Sequence, residues 1–323
     1  MKIQNGAISV VLASYNGEKY IEAQLRSIVQ QTHCVSEIVI CDDCSTDRTV
    51  LLASNLLKEC EIPYKFVMHD RNQGVVSSFM DAIRACNGEI VFLADQDDVW
   101  KPNKVERFVN KFGENEKCVL CFSDAELVDA SLNSMGMTLW KSIDFYNKCR
   151  SKSDFVNELL KRNVFTGMSM AFKRKEILNN LFFSENMLHD EMFGWTALLN
   201  YDVIGINESL ALYRQHSKNV KGIKRRSFWN VRGNIKHLIK ESNKKYYKKF
   251  KDVFEYMKAE QSPLIKGYVS QAVDFYKWKT DLAKNGRIKG LCQVFYHLIH
   301  GSYKKFTSNS DHAFIKDLYV CLW

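Results

Sequence analysis

The stretch EIVFLADQDDVW, residues 89–100, decides how the chain is read. Residues 90–93 are a short apolar, partly β-branched run, long enough for a buried strand, and the run stops abruptly at Asp95, Asp97 and Asp98. Carboxylates therefore stand at a strand's C-terminal end, and in an open α/β sheet the crevice beyond such ends is where ligands bind. Three acids in four residues repel one another unless a cation or a set of donors balances them. Oxygen ligands at this spacing suit magnesium or manganese holding a diphosphate. A solvated acidic turn capping a helix that begins near Pro102, with Asp98 as the cap, fits the same residues equally well.

Upstream the same grammar recurs. Residues 7–13 (AISVVLA) read as a fully buried strand, and residues 17–31 carry Tyr20, Ile21, Leu25, Ile28 and Val29 at the helical period. The turn between them holds Ser14, Tyr15 and Asn16, with Glu18 just inside the helix. Asn and Ser favour turns on their own account, while an exposed tyrosine there is well placed to stack on a nucleobase. Residues 37–41 (EIVIC) are a second strand, ending in Asp42 and Asp43 ahead of a helix over residues 48–60. One of this pair can accept from a pyrimidine ring or a ribose; equally, both can serve the turn at Ser45. Residues 64–69 make a third strand, followed by a helix through Ala85. Four strand-helix alternations predict a parallel sheet with covered faces. No G-x-G-x-x-G follows the first strand and no G-x-x-x-x-G-K-[ST] occurs, which argues against a dinucleotide oxidoreductase and a P-loop NTPase. A nucleotide site without a glycine cradle must neutralise its phosphates another way, and the acids of residues 95–98 with a metal are the available device.

Four ordered blocks, ISVVLASYNGEKYIEAQLRSIVQQT, EIVICDDCSTDRT, NQGVVSSF and FLADQDDVW, resemble the successive motifs of glycosyltransferase family 2, inverting enzymes with a GT-A fold. Through FSDAELVD, RNVFTGMSMAFKR, MLHDEMFGWTAL and LYRQHSKNV the likeness is to bacterial rhamnosyltransferase-like members that build cell-surface polysaccharides. The resemblance implies an α/β, Rossmann-like GT-A fold with a mostly parallel central sheet and helices on both faces. It also implies that Tyr15 stacks on the base, that Asp43 bonds the pyrimidine, and that the backbone of Ala13, Ser14, Tyr15 and Asn16 lines the nucleotide pocket with Glu18. Asp95 and Asp97 match the D-x-D motif, Asp95 facing the ribose or a metal-bound water and Asp97 binding Mg2+ or Mn2+. Asp95 and the extra acid Asp98 are further metal candidates, and the order of residues does not say whether Asp97 or Asp98 stands nearer the ion.

Residues 163–167 (NVFTG) precede an expected strand over 168–172, and the Thr166-Gly167 turn lets backbone approach a ligand closely. In similar enzymes that loop lies beside the acceptor hydroxyl. Met192, Trp195, Leu198 and Leu199 mark a helix over residues 191–199, which places Asp190 near its N-terminus, a common capping position. The resemblance makes Asp190 the general base, with Glu191 its neighbour and His189 a pocket-lining partner on the acceptor side. Residues 207–213 read as a last strand, followed by Arg214, Gln215 and His216. A lone histidine is usually structural and an arginine beside it usually solvated. In similar enzymes this segment closes over the diphosphate, which assigns Arg214 to the donor and His216 to metal or phosphate. Asp190 would then deprotonate the acceptor as its oxygen attacks the anomeric carbon from the opposite face, inverting configuration in one step. The implied donor is dTDP- or UDP-linked, with dTDP-L-rhamnose a candidate, and the implied acceptor is lipid-linked or polysaccharide. The competing reading is a catalytically idle GT-A domain that binds sugar nucleotide or polysaccharide as an assembly partner; intact Asp95, Asp97, Asp190 and His216 favour the enzyme.

Charge divides the chain in two. Of a net +9, residues from His216 onward carry 23 Lys and Arg against 8 Asp and Glu, a balance of +15, and the remainder is −6. A catalytic domain over 1–220 and a basic, aromatic-rich helical extension over 221–323 are expected, the latter marked by KRRSFWNVR, NKKYYKKFK, YKWKT and YHLIHGSYKKF. That extension can be a packed helical cap, or it can adsorb to an anionic membrane, where Lys and Arg meet headgroups and aromatics sit at the interface. Nucleic-acid binding is disfavoured because no recognised module accompanies the charge. No apolar run reaches spanning length and the N-terminus lacks a signal-peptide layout, so a cytoplasmic protein, peripheral on the inner face of the bacterial cytoplasmic membrane, is expected. Ten cysteines without framework spacing fit a reducing compartment. The pairs Cys41/Cys44 and Cys118/Cys121 make zinc conceivable, but their separation is far longer than in a zinc ribbon, and residues three apart on a strand face opposite sides. They are read as small core or loop residues.

Overall fold

The computed structural model describes residues 7–146, 148, 149, 151–216, 235–257 and 262–322. The chain packs as two compact units, one of Met1–Ser142, Phe165–Leu181 and Leu188–Ile223, the other of Ile143–Val164, Phe182–Met187 and Lys224–Trp323. The boundary expected at 220/221 and the stretch KRRSFWNVR fall in residues 217–234, outside the described residues.

The first unit is built on the alternation read from the sequence: β1 (Ile8–Ser14), α1 (Ile21–Val29), β2 (Glu37–Asp42), α2 (Thr49–Lys58), β3 (Tyr64–Met68), α3 (Val75–Ala85) and β4 (Ile90–Asp95). There follow β5 (Val99–Trp100), α4 (Lys104–Glu114), β6 (Cys118–Val128), β7 (Ser134–Thr138) and α5 (Leu139–Ser142). After α6 (Lys152–Lys161), which belongs to the second unit, come β8 (Met170–Lys173), α7 (Arg174–Asn179), α8 (His189–Asn200) and β9 (Asp202–Arg214). Strand order is β3-β2-β1-β4-β8-β6-β9-β5, with β7 beside β6. The first four strands are parallel, and from β4 onward the pairing is mixed, with helices on both faces. Burial from both sides is why β1 and β4 read as continuous apolar runs.

Two features of the sheet set up the crevice. β1 pairs with β2 on one side and β4 on the other, so the chain reverses direction across the sheet at β1, and the C-terminal ends there open a crevice. Register brings Ser14 opposite Asp42 and Ala13 opposite Asp95, so the residues that end three strands share one level. β9 then closes onto the acidic turn: Leu212 pairs with Val99 and Ala211 with Trp100, antiparallel.

β6 shows no helical or alternating pattern because it is buried along nearly its whole length. Within it Cys118 and Cys121 are both fully buried, and their sulfurs lie 3.5 Å apart. This corrects the expectation that residues three apart point to opposite sides; the register against β9 shifts between Cys118 and Leu120, and such a bulge flips the alternation. Cys41 lies on β2, four strand positions from β6 and therefore roughly 19 Å away at about 4.8 Å per step, too far for one tetrahedral ion to join the two pairs.

The second unit comprises α6, α9 (Ile235–Tyr256), α10 (Pro263–Asp281), α11 (Arg287–Ile299), α12 (Ser302–Phe306) and α13 (Ser310–Leu322). α6 starts with a capping box in which Ser151 and Asp154 satisfy each other's amides. Ile239, Leu282, Val294, Val320 and Cys321 form a buried cluster, and Tyr246 of α9 stacks on Tyr276 of α10 at 5.0 Å. Among the described residues no helix is long and apolar enough to cross a membrane.

Candidate active site

The loop after β1 is held by side chains from two neighbouring loops. Asn16 adopts a left-handed φ of 47°, its amide donates to Ser45 Oγ, and its Oδ1 accepts from the Thr46 amide. The Gly17 amide donates to Thr49 Oγ1, and Glu18 Oε2 accepts from the amide and Nε of Arg48. Gln96, from between the acids of the β4 turn, clamps Tyr15 at two points: its Oε1 accepts the Tyr15 amide at 2.8 Å and its Nε2 donates to the Tyr15 carbonyl at 3.0 Å. A Cβ at Gly17 would meet the end of that Gln96 side chain, so glycine leaves room for the clamp. With its backbone held in this way, Tyr15 is 47% exposed.

Asp42 and Asp43 divide their labour. Asp42 accepts from the Ser45 amide and hydroxyl and from Ser14 Oγ, which is the turn-serving reading of this pair. Asp43 reaches the loop before α3 instead, accepting from His69 Nδ1 at 2.8 Å and from the amides of Gln73 and Gly74 at 2.7 and 2.8 Å. Burial opposes ionisation of Asp43, but the bonds from Gln73, His69 and Gly74 outweigh it and hold the carboxyl below its usual range. His69 also approaches Asp81 at 3.2 Å, and the bond to Asp43, against burial and with help from Asp81, raises its pKa. Both Asp43 oxygens thus anchor the β3–α3 loop, a task not foreseen for the residue expected to read a pyrimidine.

At the end of β4 the three acids take three different positions. Asp97 points to the crevice, and His216 Nε2 donates to its Oδ2 at 2.7 Å across 119 residues of sequence. The His216 ring stacks on Tyr20 at 5.0 Å. Asp98 turns inward and is fully buried; its Oδ1 accepts the Arg214 amide at 2.9 Å and its Oδ2 has no hydrogen bond among the described residues. Asp98 is therefore neither a ligand presented to the crevice nor a cap for α4, whose N-cap is Asn103. Asp95 is half-buried and is pushed up to about 7 by burial first and then by the charges of Asp97 and Asp190, with Lys104 opposing.

Arg214 has a different task from the one expected. It is only 3% exposed, its Nε donates to the Asp97 carbonyl at 2.6 Å, its Nη1 to the Ala130 carbonyl at 2.7 Å, and its guanidinium lies 4.5 Å over the Tyr20 ring. These contacts brace the acidic turn from behind. Lys104, fully buried on α4, donates to the Met168 carbonyl and lies 3.9 Å over the Trp100 ring. Burial pulls its pKa down to about 7 against the pull of Asp98 and Asp95. Lys104, Gln96 and His69 escaped the sequence reading because each sits inside an ordinary helical, turn or strand pattern.

The remaining residues that the resemblance assigns to the acceptor lie on one wall. Asp190 and Glu191 occupy the first turn of α8, both buried, and Asp190 Oδ1 accepts the Glu191 amide at 2.7 Å. The His189 ring stacks on Phe79 at 4.1 Å, and a Cβ on Gly167 would lie 2.9 Å from its Nε2. The space opened by Gly167 is thus filled by His189, whose ring packs inside the wall. Half-buried Thr166 precedes it and accepts the Ser169 amide through its carbonyl.

The Asp97 carboxylate is the kind of oxygen ligand that Mg2+ or Mn2+ takes, with the His216 imidazole beside it as a further donor. Among the described residues no three His, Cys, Asp or Glu side chains form a self-sufficient metal site. An ion here would complete its shell with water and donor oxygens, the usual habit of Mg2+.

Comparison with known proteins bears on family and fold. The family model described as Glycosyl transferase family 2 matches residues 9–181. An uncharacterized glycosyltransferase of Nostoc sp. is 38% identical over 105 residues, 32% of this chain and 32% of its own length. The dTDP-rhamnosyl transferase RfbG of Shigella flexneri is 25% identical over 65% of this chain and 73% of its own. An Escherichia coli UDP-Glc:alpha-D-GlcNAc-diphosphoundecaprenol beta-1,3-glucosyltransferase, WfgD, is 24% identical over 52% of this chain and 66% of its own. The chain thus spans about a third of the Nostoc relative's length. Among solved structures, S. aureus TarS 1-349 in complex with UDP-GlcNAc superposes with a TM-score of 0.60 at 15% identity, covering 97% of this chain and 81% of that one. A Pyrobaculum calidifontis mannosyltransferase in complex with GDP-Man and Mn2+ gives 0.56 at 15% identity over 99% of this chain and 88% of that one. Likeness at this level establishes the fold, which is GT-A.

Proposed function

The chain belongs to glycosyl transferase family 2, and on that premise we propose that its first unit moves a sugar from a nucleoside-diphosphate donor to a hydroxyl acceptor with inversion. The observation that carries this reading is the 2.7 Å pairing of Asp97 with His216 at the mouth of β4, facing the Tyr15 loop across the point where the sheet reverses direction. Tyr15 stacks on the base, and the backbone of Ala13 to Asn16 borders the nucleotide. Asp95 faces the ribose. Asp97 and His216 would hold a divalent cation, which supplies positive charge against the leaving diphosphate. Arg214 keeps Asp97 aimed at the crevice through the Asp97 carbonyl. Asp190, opening α8 on the acceptor wall, takes the proton of the attacking hydroxyl.

The finer assignments rest on relatives and on charge. RfbG is named for dTDP-rhamnose and WfgD for a diphosphoundecaprenol-linked acceptor. A dTDP- or UDP-linked sugar and a lipid-linked polysaccharide precursor are accordingly the donor and acceptor classes we assign here. The +15 balance after His216 supports attachment to an anionic membrane where such a precursor resides. A screen of dTDP-, UDP- and GDP-sugars with a lipid-linked acceptor, read as nucleoside diphosphate release, tests the reading. Metal-dependent release with one donor class is expected. No release with any donor, together with tight binding of an intact sugar nucleotide, would replace it with the idle assembly-partner reading.

A further inference from the structure

α11 carries a surface that nothing described so far uses. Ile288, Cys292, Phe295 and Ile299 recur at i, i+4, i+7 and i+11, a spacing that puts them on one stripe of the helix. Such a stripe normally faces a core. Here it faces solvent: Ile288 is 81% and Ile299 79% exposed, Phe295 and Cys292 are exposed, and Val294 and Gly290 on the opposite side are the buried positions. Where α11 ends, the chain enters a groove of about 350 Å³ bordered by Lys161 of α6, Tyr268 of α10, and Gly301, Lys304 and Lys305. Lys305 is steadied by Gln271 Oε1 at 2.6 Å and by the Tyr268 ring at 4.6 Å, and Lys161 by Glu158 at 3.0 Å. Lys304 is exposed. All these residues lie within the second unit. From residue 282 to residue 310 the chain has five Lys and Arg and no Asp or Glu.

Charge selects the occupant. A second copy of the same face would bring like charges together, whereas an anionic surface relieves them. An apolar stripe bordered by cations, with Tyr296 at its margin 56% exposed, matches the layout of a helix that lies in a lipid interface. We infer that the α11 stripe and the adjoining lysine groove form one docking face for an anionic phospholipid bilayer, the isoleucines and Phe295 entering the acyl boundary and Lys304 and Lys305 meeting headgroup phosphates. This deepens the membrane attachment assigned to the basic tail and rests on it, but it does not depend on which sugar the first unit transfers.

The full chain is mixed with phosphatidylcholine vesicles that either contain or lack phosphatidylglycerol, and the bound fraction is measured by sedimentation at low and raised salt. Wild-type protein is expected on the acidic vesicles alone, weakened by salt but still partly bound. Ile288→Ser with Ile299→Ser should lower partitioning by about tenfold or more, because two exposed apolar side chains lose their burial. Raised salt should then release that variant completely. Lys304→Gln with Lys305→Gln should cost about fivefold for each charge that meets a phosphate. Both isoleucines are exposed, so unfolding temperature and sugar-nucleotide binding serve as controls that remain at wild-type values. Unchanged partitioning of the isoleucine variant overturns the proposal. So does a wild-type dimer in lipid-free solution that the isoleucine variant abolishes, which would give the stripe to a second copy of the chain.

Discussion

Each unit buries more than one lysine, and Lys104 of the first and Lys279 of the second are treated in different ways. In the second unit Lys279 pairs with Asp317 at 2.9 Å, both nearly inaccessible, and Tyr303 donates to the same carboxylate at 2.7 Å. That network joins the two charges directly, although Asp317 Oδ1 has no hydrogen bond among the described residues. In the first unit Lys104 is equally buried yet has, among the described residues, no carboxylate within ion-pair distance; a carbonyl and an indole face are its company, while Asp98 keeps an oxygen unbonded. A buried ion pair serves the fold, whereas a buried ammonium and carboxylate that are not paired with each other are groups of the kind that gather where a ligand is to complete them. The difference between a paired and an unpaired lysine is consistent with a ligand site in the first unit.

Four experiments sharpen or break that contrast. The largest effect belongs to the crevice. Asp97→Asn should abolish transfer and with it metal-dependent donor binding, since an amide cannot replace a chelating carboxylate. Asp190→Asn should leave donor binding intact while turnover falls on the order of a hundredfold or more. Donor affinity measured beside turnover separates the two, and normal turnover of Asp190→Asn at saturation would make it a binding residue. Glu191→Gln is the milder companion.

Next is stability in the Lys279–Asp317 pair. Lys279→Met strands a buried carboxylate and should cost about 3–5 kcal/mol in denaturant unfolding. Replacing Asp317 by leucine in the same chain should recover most of the loss. Lys104→Met should cost less, because it also relieves an ammonium that burial disfavours, and should raise the acceptor KM by loosening the turn at Met168. Equal losses from the two lysine variants would erase the distinction between a paired and an unpaired buried lysine.

The third test uses pH. The folded-state pKa of His69 is raised above its ordinary value near 6.5, so its contribution is fully present below that pH and is lost as pH rises through the raised value. Asp43, depressed below its ordinary value near 3.8, contributes above that pH and loses its part as pH falls through the depressed value. The stability difference between wild type and His69→Gln should therefore be greatest between about pH 4 and pH 6 and shrink in alkali. A difference that grows with pH would reverse the assignment. The smallest effect is expected from Arg48→Ala, which removes an exposed ion pair with Glu18 and should change stability by no more than about 1 kcal/mol.

Much of this was legible without a structure. The strand ends at Ser14, Asp42 and Asp95 were readable because a strand covered on both faces must be apolar until it emerges, and the first polar residue marks the emergence. β6 was not readable, since Cys118 to Val128 mixes Ser, Asp and Glu into a buried strand and a bulge breaks its alternation. The brace formed by Arg214 was hidden for a related reason: an arginine beside a histidine at a strand end looks solvated, and only the fold brings the carbonyls of Asp97 and Ala130 to it.

The order of amino acids by itself determined the alternation of strands and helices, the level at which carboxylates leave the sheet, and the division between an acidic body and a basic tail. These are local or additive properties, set by hydrophobic period, by turn chemistry and by a count of charges. Which acid meets the crevice was decided only by tertiary structure. Asp97 and Asp98 are adjacent and chemically identical, and the choice between them is made by β9 pairing antiparallel with β5, which delivers His216 to Asp97 and the Arg214 amide to Asp98. A contact across 119 residues is a consequence of how the sheet closes, and no local pattern carries it.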